Sequence, residues 1–471
     1  MMGKFEISAG VDANKIFLVN HSELQGRLDP LFYNTVHGFS IARNTIYTVK
    51  KLSEVISMQR GRFGHRPRND PKFYGGKYPF MQTGDVVKAS QTNEPITYTQ
   101  TLNELGLKTS RLFDRKVLVI TIAANIGDSA ILDYPACFPD SLIGLTPKAD
   151  TLTFDYLNIY FKFLKPYLED LAPQAAQKNI NYQQLSPVPI VLPPLDVQQK
   201  ISDLFSDAHR LKQQKEKQAK ALLDSIDAYL LTELGITLPE QDSRLEKRMF
   251  TVPFNEVTGG RLDPDYALKF KLLFSQKGIY KFVPLKELLI STPQYGANEE
   301  AKEVNSMNDV RYIRITDIDD LGNLKNTVWK TAGNTDEQYV LNKNDILFAR
   351  SGSVGRCYIH KQTDQLAIFA GYLIRFIVNK VRINPEYLFY YCNSRFYKFW
   401  VSAIQRPAVQ ANINAEEYKA LPIPLPPIEK QNEIAAHISN IRAQAKLLQE
   451  EAAQILATAK TEIERMILGT R

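Results

Sequence analysis

Between Ile434 and Ala459 the apolar side chains fall at alternating four- and three-residue steps: Ile434, Ile438, Ile441, Ala445, Leu448, Ala452, Ile455 and Ala459. That spacing is a seam of coiled-coil type, and neither glycine nor proline interrupts it before Gly469. A second such stretch carries Ile201, Leu204, Phe205, Ala208, Leu211, Leu222, Ile226 and Tyr229, with a polar, charged middle from Gln213 to Lys220. Acids at the starts (Asp196, Glu429) and glycines at the ends (Gly235, Gly469) agree with helix polarity. Two long helices are expected, residues 195–236 and 428–471, each a rod of roughly 60 Å. Packing of the pair is assigned to Ile201, Phe205, Ala208, Leu222 and Ile226 against Ile434, Ile438, Ile441, Leu448 and Ile455.

Ahead of each helix the pattern changes to short β-like runs, among them Lys116–Ile122 and Asp345–Ala349, separated by turn residues such as Gly75-Gly76, Gly84-Asp85 and Gly352-Ser353. A helix-like stretch follows, Phe154 to Leu168 and later Pro385 to Ile404. Each segment closes in a proline-punctuated strip, Pro187–Pro194 and Pro422–Pro427, read as a stiff connector. The order is the same twice because the chain is written twice, at a spacing of about 233 residues. Gly26-Arg27-Leu28-Asp29-Pro30 returns as Gly260-Arg261-Leu262-Asp263-Pro264, and Leu192-Pro193-Pro194-Leu195 as Leu425-Pro426-Pro427-Ile428. So long a period is a duplicated domain with its connector, not a short-repeat solenoid. The fold class expected is α+β: two similar domains, residues 1–194 and 237–427, separated by two long antiparallel helices about a pseudo-twofold. The alternative makes each helix a cap on its own domain.

Composition narrows the class. The chain has 471 residues, 44% of them hydrophobic and 10% aromatic, values of globular proteins. Lysine plus arginine exceed aspartate plus glutamate by 58 to 51, which permits a polyanionic partner without requiring one. Three scattered cysteines (Cys137, Cys357, Cys392) make no disulfide framework, and no apolar run is long enough to span a membrane. A cytoplasmic protein is expected.

Basic and amide side chains supply the candidate chemistry. Arg60, Arg62, His65, Arg66, Arg68, Lys72 and Lys77 lie among Phe63, Phe73, Tyr74 and Tyr78. Arginine suits phosphates and guanine edges, and aromatics and glycines let such a loop approach a groove closely. A solvated basic loop is the competing reading. The second copy lacks the run, so two DNA-reading domains would read different sequences. Asn125, in Ala124-Asn125-Ile126-Gly127, matches Ser353 in Gly352-Ser353-Val354-Gly355, which Arg350, Ser351 and Arg356 flank. Gln177 and Asn179 match Gln410 and Asn412; their amides suit adenine, while turn formation and capping compete as explanations. Gln82, Tyr295, Arg311, Arg314 and Arg406 complete the set.

Catalytic motifs fail individually. Asn384-Pro385-Glu386-Tyr387 has glutamate where an amino-methyltransferase motif has a second proline. Ser351–Arg356 lacks the Gly-Lys-Ser/Thr of a nucleotide loop, Glu300-Ala301-Lys302 lacks a companion acid, and the six histidines show no zinc spacing.

Taken together, the duplicated Leu-Pro-Pro-x-x-x-Gln strips (Leu192–Gln198, Leu425–Gln431) and the matched segments Tyr78–Val86 and Tyr312–Ile318 resemble the specificity subunits of type I restriction–modification systems. The resemblance covers nearly the whole chain. It implies two target recognition domains, each reading one half of a bipartite asymmetric site in double-stranded DNA, with the helices setting the spacer. It implies docking of two methyltransferase subunits, with motor-nuclease subunits joining for restriction. S-adenosylmethionine, ATP and Mg2+ would then belong to those partners, with no cofactor, metal or catalytic residue on this chain. The rival readings are an endonuclease or methyltransferase with a cryptic site, and a protein-interaction scaffold that does not bind DNA.

Overall fold

The apolar run Val117–Thr121 is buried along its length, and the two-residue period of a strand divides it between two cores. Leu118 and Ile120 join the core that holds Tyr156, Leu157 and Phe161. Val117 and Val119 join a second, with Met81, Val86 and Phe138. The run Ile346–Ala349 repeats the arrangement: Ile346 and Phe348 enter one core, Leu347 and Ala349 another. A strand buried on both faces must lie inside its sheet, and these two organise their domains.

The computed structural model describes residues 45–64, 69–172, 179–238, 278–306, 308–325, 329–361, 365–405 and 411–469, with short pieces at 18–19, 21, 251, 266–269 and 273. Both Gly-Arg-Leu-Asp-Pro segments lie outside the described residues. The chain divides into two units, one of residues 1–215 and 450–471, the other of residues 216–449.

In the first unit, strands β1 (Thr48–Lys51), β2 (Ile56–Arg60), β3 (Tyr74–Phe80), β4 (Gln100–Leu102), β5 (Leu112–Phe113), β6 (Val117–Thr121), β7 (Ser129–Leu132), β8 (Ala136–Cys137), β9 (Leu142–Pro147) and β10 (Pro189–Leu192) make three sheets. The central sheet is antiparallel in the order β2-β9-β6-β7. Beside it lie β4-β3-β8-β5, with β3 and β8 parallel, and the pair β1-β10. The second unit has β11 (Phe282–Pro284), β12 (Gln294–Tyr295), β13 (Ala301–Lys302), β14 (Arg311–Ile313), β15 (Thr331–Ala332), β16 (Ile346–Ala349), β17 (Cys357–Ile359), β18 (Ala367–Phe369), β19 (Leu373–Phe376) and β20 (Pro422–Pro424). Its central sheet runs β12-β19-β16-β17, its parallel pair is β14-β18, and β11 pairs with β20. The duplication therefore extends to strand order.

Three expectations are corrected. The proline strips are strands as well as connectors: β10 and β20 each pair on one side only, where missing N–H groups are tolerated. Their carbonyls are held by tyrosines one helical turn apart. Tyr156 and Tyr160 donate to Val191 and Pro189 (2.8 and 3.1 Å), and Tyr387 and Tyr391 to Pro424 and Pro422 (both 2.7 Å). The stretch Pro385–Ile404 is two helices, Pro385–Tyr391 and Arg395–Ile404, because the Ser394 hydroxyl accepts from Tyr397 N–H and starts a new helix. Its counterpart Phe154–Leu171 is continuous. Finally, Phe63, Phe73 and Phe80 pack inward with Leu102, so these aromatics anchor the basic loop instead of lying against a groove.

The long helices span Leu195–Leu234 and Ile428–Leu468, and each contributes one half to each unit. In the first unit Ile201 shares a core with Ile463 and Ile467, and Lys215 pairs with Glu451 at 2.6 Å. In the second, Leu230 and Leu234 share a core with Ile434 and Ile438, Tyr229 lies 4.2 Å from His437, and Lys430 pairs with Glu233 at 2.7 Å. Within each unit the partners' numbers fall as the first helix's rise, so the halves run antiparallel. Ala208 and Ile441 are buried, while Phe205, Leu222, Ile226, Leu448 and Ile455 are half-buried. Leu211, counted in the apolar stripe, is 40% exposed. The heptads of the first helix run 201-208-215-222 and 205-212-219-226, so lysines take two positions and Leu211 falls outside.

The glutamine of each Leu-Pro-Pro-x-x-x-Gln strip fixes its helix to its domain. The Gln198 amide accepts from Thr153 N–H (3.0 Å) and donates to the carbonyls of Thr151 and Pro193 (2.8 and 2.9 Å). Gln431 accepts from Asn384 N–H (2.9 Å) and donates to Arg382 and Pro426 (3.2 and 2.8 Å). Both side chains are fully buried with both donors and the oxygen engaged.

Candidate nucleic-acid interface

At one end of each central sheet the main chain builds the same frame from hydrogen bonds. Gly61 N–H donates to Leu142 O (2.9 Å) and Gly296 N–H to Leu373 O (3.2 Å). Arg62 N–H reaches Phe138 O and Ala297 N–H reaches Phe369 O (3.0 and 2.8 Å). Ile122 N–H donates to Ser141 O (3.1 Å), Arg350 N–H to Tyr372 O (3.0 Å). Ile180 N–H closes on Ile122 O and Ile413 N–H on Arg350 O, both at 2.9 Å. Glycine is required at the crossing point, since a Cβ on Gly61 would overlap Pro139 O and one on Gly296 would overlap Ala370 O.

These bonds set a correspondence between the units, position by position. Arg60 corresponds to Tyr295, Arg62 to Ala297, Ile122 to Arg350 and Ser141 to Tyr372. The next turn extends it. Ala124 and Gly352 share positive φ (63° and 70°), as do Gly127 and Gly355 (83° and 82°), which makes Asn125 the counterpart of Ser353. Ala123 bridges Asn179 and Ser351 bridges Asn412. Asn181 and Asn414 both cap the short helix that follows. The backbone repeats, while the side chains on it change size and charge.

Candidate by candidate, the first unit places Arg60 and Arg62 exposed at the end of β2, and Arg60 Nε donates to Asp140 O. Arg60 also lines a cavity of about 250 Å³ with Ile122, Ile143, Asn181 and Tyr182. Lys72 pairs with Asp70 (3.0 Å) and Lys77 with Glu104 (3.2 Å). The Tyr78 hydroxyl and Lys77 hold the Glu104 carboxyl below its usual range, and the Glu104 bond raises Lys77. Both pairs are solvent-exposed and contribute little to stability. Gln82 is half-buried: its N–H takes Asp85 (2.8 Å) and its amide donates to Gln100 (2.9 Å), capping helix Thr83–Thr92. Asn125 is exposed in its turn. His65, Arg66, Arg68 and Gln177 lie outside the described residues.

In the second unit, Arg311 donates to Lys325 O (2.9 Å). Arg314 caps its turn through Asp317 (2.7 Å), which raises the guanidinium's affinity for its proton. Arg356 donates to Ile318 O (2.7 Å) and pairs with Asp320. These three arginines are occupied within the fold. Ser351 is buried in its bridge and Ser353 is exposed. Tyr295 is 39% exposed, its hydroxyl accepts from Ala415 N–H (3.2 Å), and the Arg350 guanidinium lies 5.0 Å from its ring centre. Arg406 and Gln410 lie outside the described residues. Among the described residues no group of three or more His, Cys, Asp or Glu could share a metal ion, and no helix is long and apolar enough to cross a membrane.

Sequence reasoning passed over Tyr372, 62% exposed on a tight turn (Leu373 N–H to Ala370 O, 2.8 Å), and its counterpart Ser141. An aromatic after Gly371, between the apolar runs 367–369 and 373–376, was the available signal.

The profile of the type I restriction modification DNA specificity domain matches residues 45–222 and again residues 279–457. The chain belongs to that family. Its two matched copies of the specificity domain each contain one central sheet and one of the frames described above. The chain is similar to the type I restriction enzyme MjaVIII specificity subunit of Methanocaldococcus jannaschii, 23% identical over 75% of this chain and 78% of that one. It is also similar to the EcoBI specificity subunit of Escherichia coli, 26% identical over 35% of this chain and 34% of that one. A chain solved in a study of the assembly and conformational transition of a type I R-M system shares the fold, with a TM-score of 0.54 at 14% identity over 89% of this chain and 96% of that one.

Proposed function

We propose that this chain is the DNA-reading subunit of a type I restriction–modification complex and that each copy of its specificity domain reads one half of an asymmetric, bipartite site. The observation that carries this reading is the shared frame with unlike side chains. Arg60, Arg62, Ile122 and Ser141 on one copy stand where Tyr295, Ala297, Arg350 and Tyr372 stand on the other. Two readers of one sequence would keep the side chains; two readers of different sequences keep only the frame. Base edges in the major groove are distinguished by such side-chain donors and apolar surfaces.

In this reading residues 1–194 and 237–427 are the target recognition domains. The helices at 195–236 and 428–471 set the spacer and dock two methyltransferase subunits. Motor-nuclease subunits complete the restriction complex, in the cytoplasm. Methyl transfer from S-adenosylmethionine and ATP- and Mg2+-dependent work belong to those partners; this chain contributes recognition. Methylome sequencing of a host expressing the chain with its methyltransferase subunit tests the proposal. One asymmetric bipartite motif, methylated in both halves, is expected. Methylation or cleavage of DNA by the purified chain alone would overturn it, as would the absence of any motif.

A further inference from the structure

Arg350 differs from its neighbours in what its guanidinium touches. Every other described arginine of the second unit donates to a carboxylate or a carbonyl, as Arg314 does to Asp317, Arg375 to Val340 O and Arg442 to Leu321 O. The Arg350 guanidinium has no such acceptor among the described residues; its Nε is buried without a partner, as are those of Arg311 and Arg375, but those two arginines donate through their terminal nitrogens and Arg350 does not.

The position is rigid. The Arg350 main chain is bonded on both sides, N–H to Tyr372 O and O from Ile413 N–H. Its guanidinium stacks over Tyr295, and Ala415 N–H in turn pins the Tyr295 hydroxyl. Stacking orients a planar five-donor group before any ligand arrives, and such a group matches the paired O6 and N7 acceptors of guanine. Exposed Tyr372 borders the same place and supplies apolar surface beside the base contacted. In the first unit this position is Ile122, which has no donor to offer.

We infer that Arg350 is a specificity-determining residue of the second unit and reads a guanine in that unit's half of the DNA site. The inference rests on the DNA-reading role proposed above and goes beyond it in naming the residue and the base.

The test uses the full chain co-expressed with its methyltransferase subunit. Arg350→Ala is expected to relax one guanine position in one half of the methylated motif and to leave the other half intact, which also reports folding and assembly. Arg350→Lys is expected to retain a weaker preference there. With the purified complex, replacing that guanine by 7-deazaguanine removes the N7 acceptor. Wild-type binding should fall on the order of 10- to 100-fold, and Arg350→Ala binding should not fall further. An unaltered motif, a relaxed position other than guanine, or loss of both halves together would overturn the inference. A wild-type complex with no bipartite motif would instead overturn the DNA-reading role itself.

Discussion

The base of each unit, where the long helix meets the domain, and the tip of its central sheet have diverged to opposite degrees. At the base Gln198 and Gln431 make the same three hydrogen bonds, and paired tyrosines hold the same strand carbonyls. At the tip the backbone bonds coincide, but arginine in one unit corresponds to tyrosine in the other, isoleucine to arginine and serine to tyrosine. Base side chains are buried, and each replaces a specific lost water contact, so change there is costly. At the tip Arg60, Arg62, Tyr295 and Tyr372 meet solvent and are free to change, while Ile122 and Ala297 are buried. The contrast separates what the chain needs to fold from what it uses to discriminate.

The largest expected effect breaks the base. Gln431→Ala leaves a buried N–H and two buried carbonyls without their partner, and should destabilise the protein by about 3 kcal/mol or more in urea unfolding. Gln198→Ala should match it if the two bases are equivalent; a cost below about 1 kcal/mol in either would show that water replaces the amide.

A second effect belongs to the first unit. Lys162 donates to Ser90 O and faces Asp128, Lys165 and Phe205. Burial lowers its pKa from 10.5 to about 8, against the pull of Asp128. Between those values the unfolded chain binds more protons, so stability rises with pH across the window and the penalty is full below it. The gain should stay below about 3 kcal/mol, the ceiling set by the two pKa values, because Lys162 is only partly buried. Lys162→Met should flatten that slope in denaturation measured against pH, and a slope unchanged by the substitution would remove Lys162 as its source.

Smaller again, Tyr156→Phe and Tyr387→Phe each remove one buried hydroxyl bond to a proline-strip carbonyl. Each should cost about 1 kcal/mol, and calorimetry that finds clearly unequal losses would weaken the equivalence of the bases. The least effect on stability, under about 0.5 kcal/mol for exposed Tyr372→Ser and somewhat more for Ser141→Tyr, whose hydroxyl contacts that of Thr83, is expected from exchanging the tips. Either should alter one half of the methylated motif; a change in both halves would mean that the tips are not independent.

Patterns that repeat along a few residues were legible. The steps of four and three from Ile434 to Ala459 mark one face of a helix wherever that helix sits, and the apolar run within Lys116–Ile122 marks a strand. The tip correspondence was not legible. It pairs Arg60 with Tyr295 and Ser141 with Tyr372, unlike residues at unequal offsets, and only hydrogen bonds to distant strands define it. The proline strips misled for the same reason. Proline excludes a helix locally, but whether Pro189–Leu192 pairs depends on Thr48–Lys51, far away in sequence.

The sequence alone determined the duplication, the α+β order within each copy, the two long helices and the family they resemble, because these rest on local periodicity and on repeated residues. Tertiary structure alone decided that each helix is shared between the units, that Gln198 and Gln431 are clamps, and that Arg314 and Arg356 are engaged inside the fold while the Arg350 guanidinium is not. A side chain's availability depends on which acceptors the folded chain brings within about 3 Å of it, and folding sets that distance.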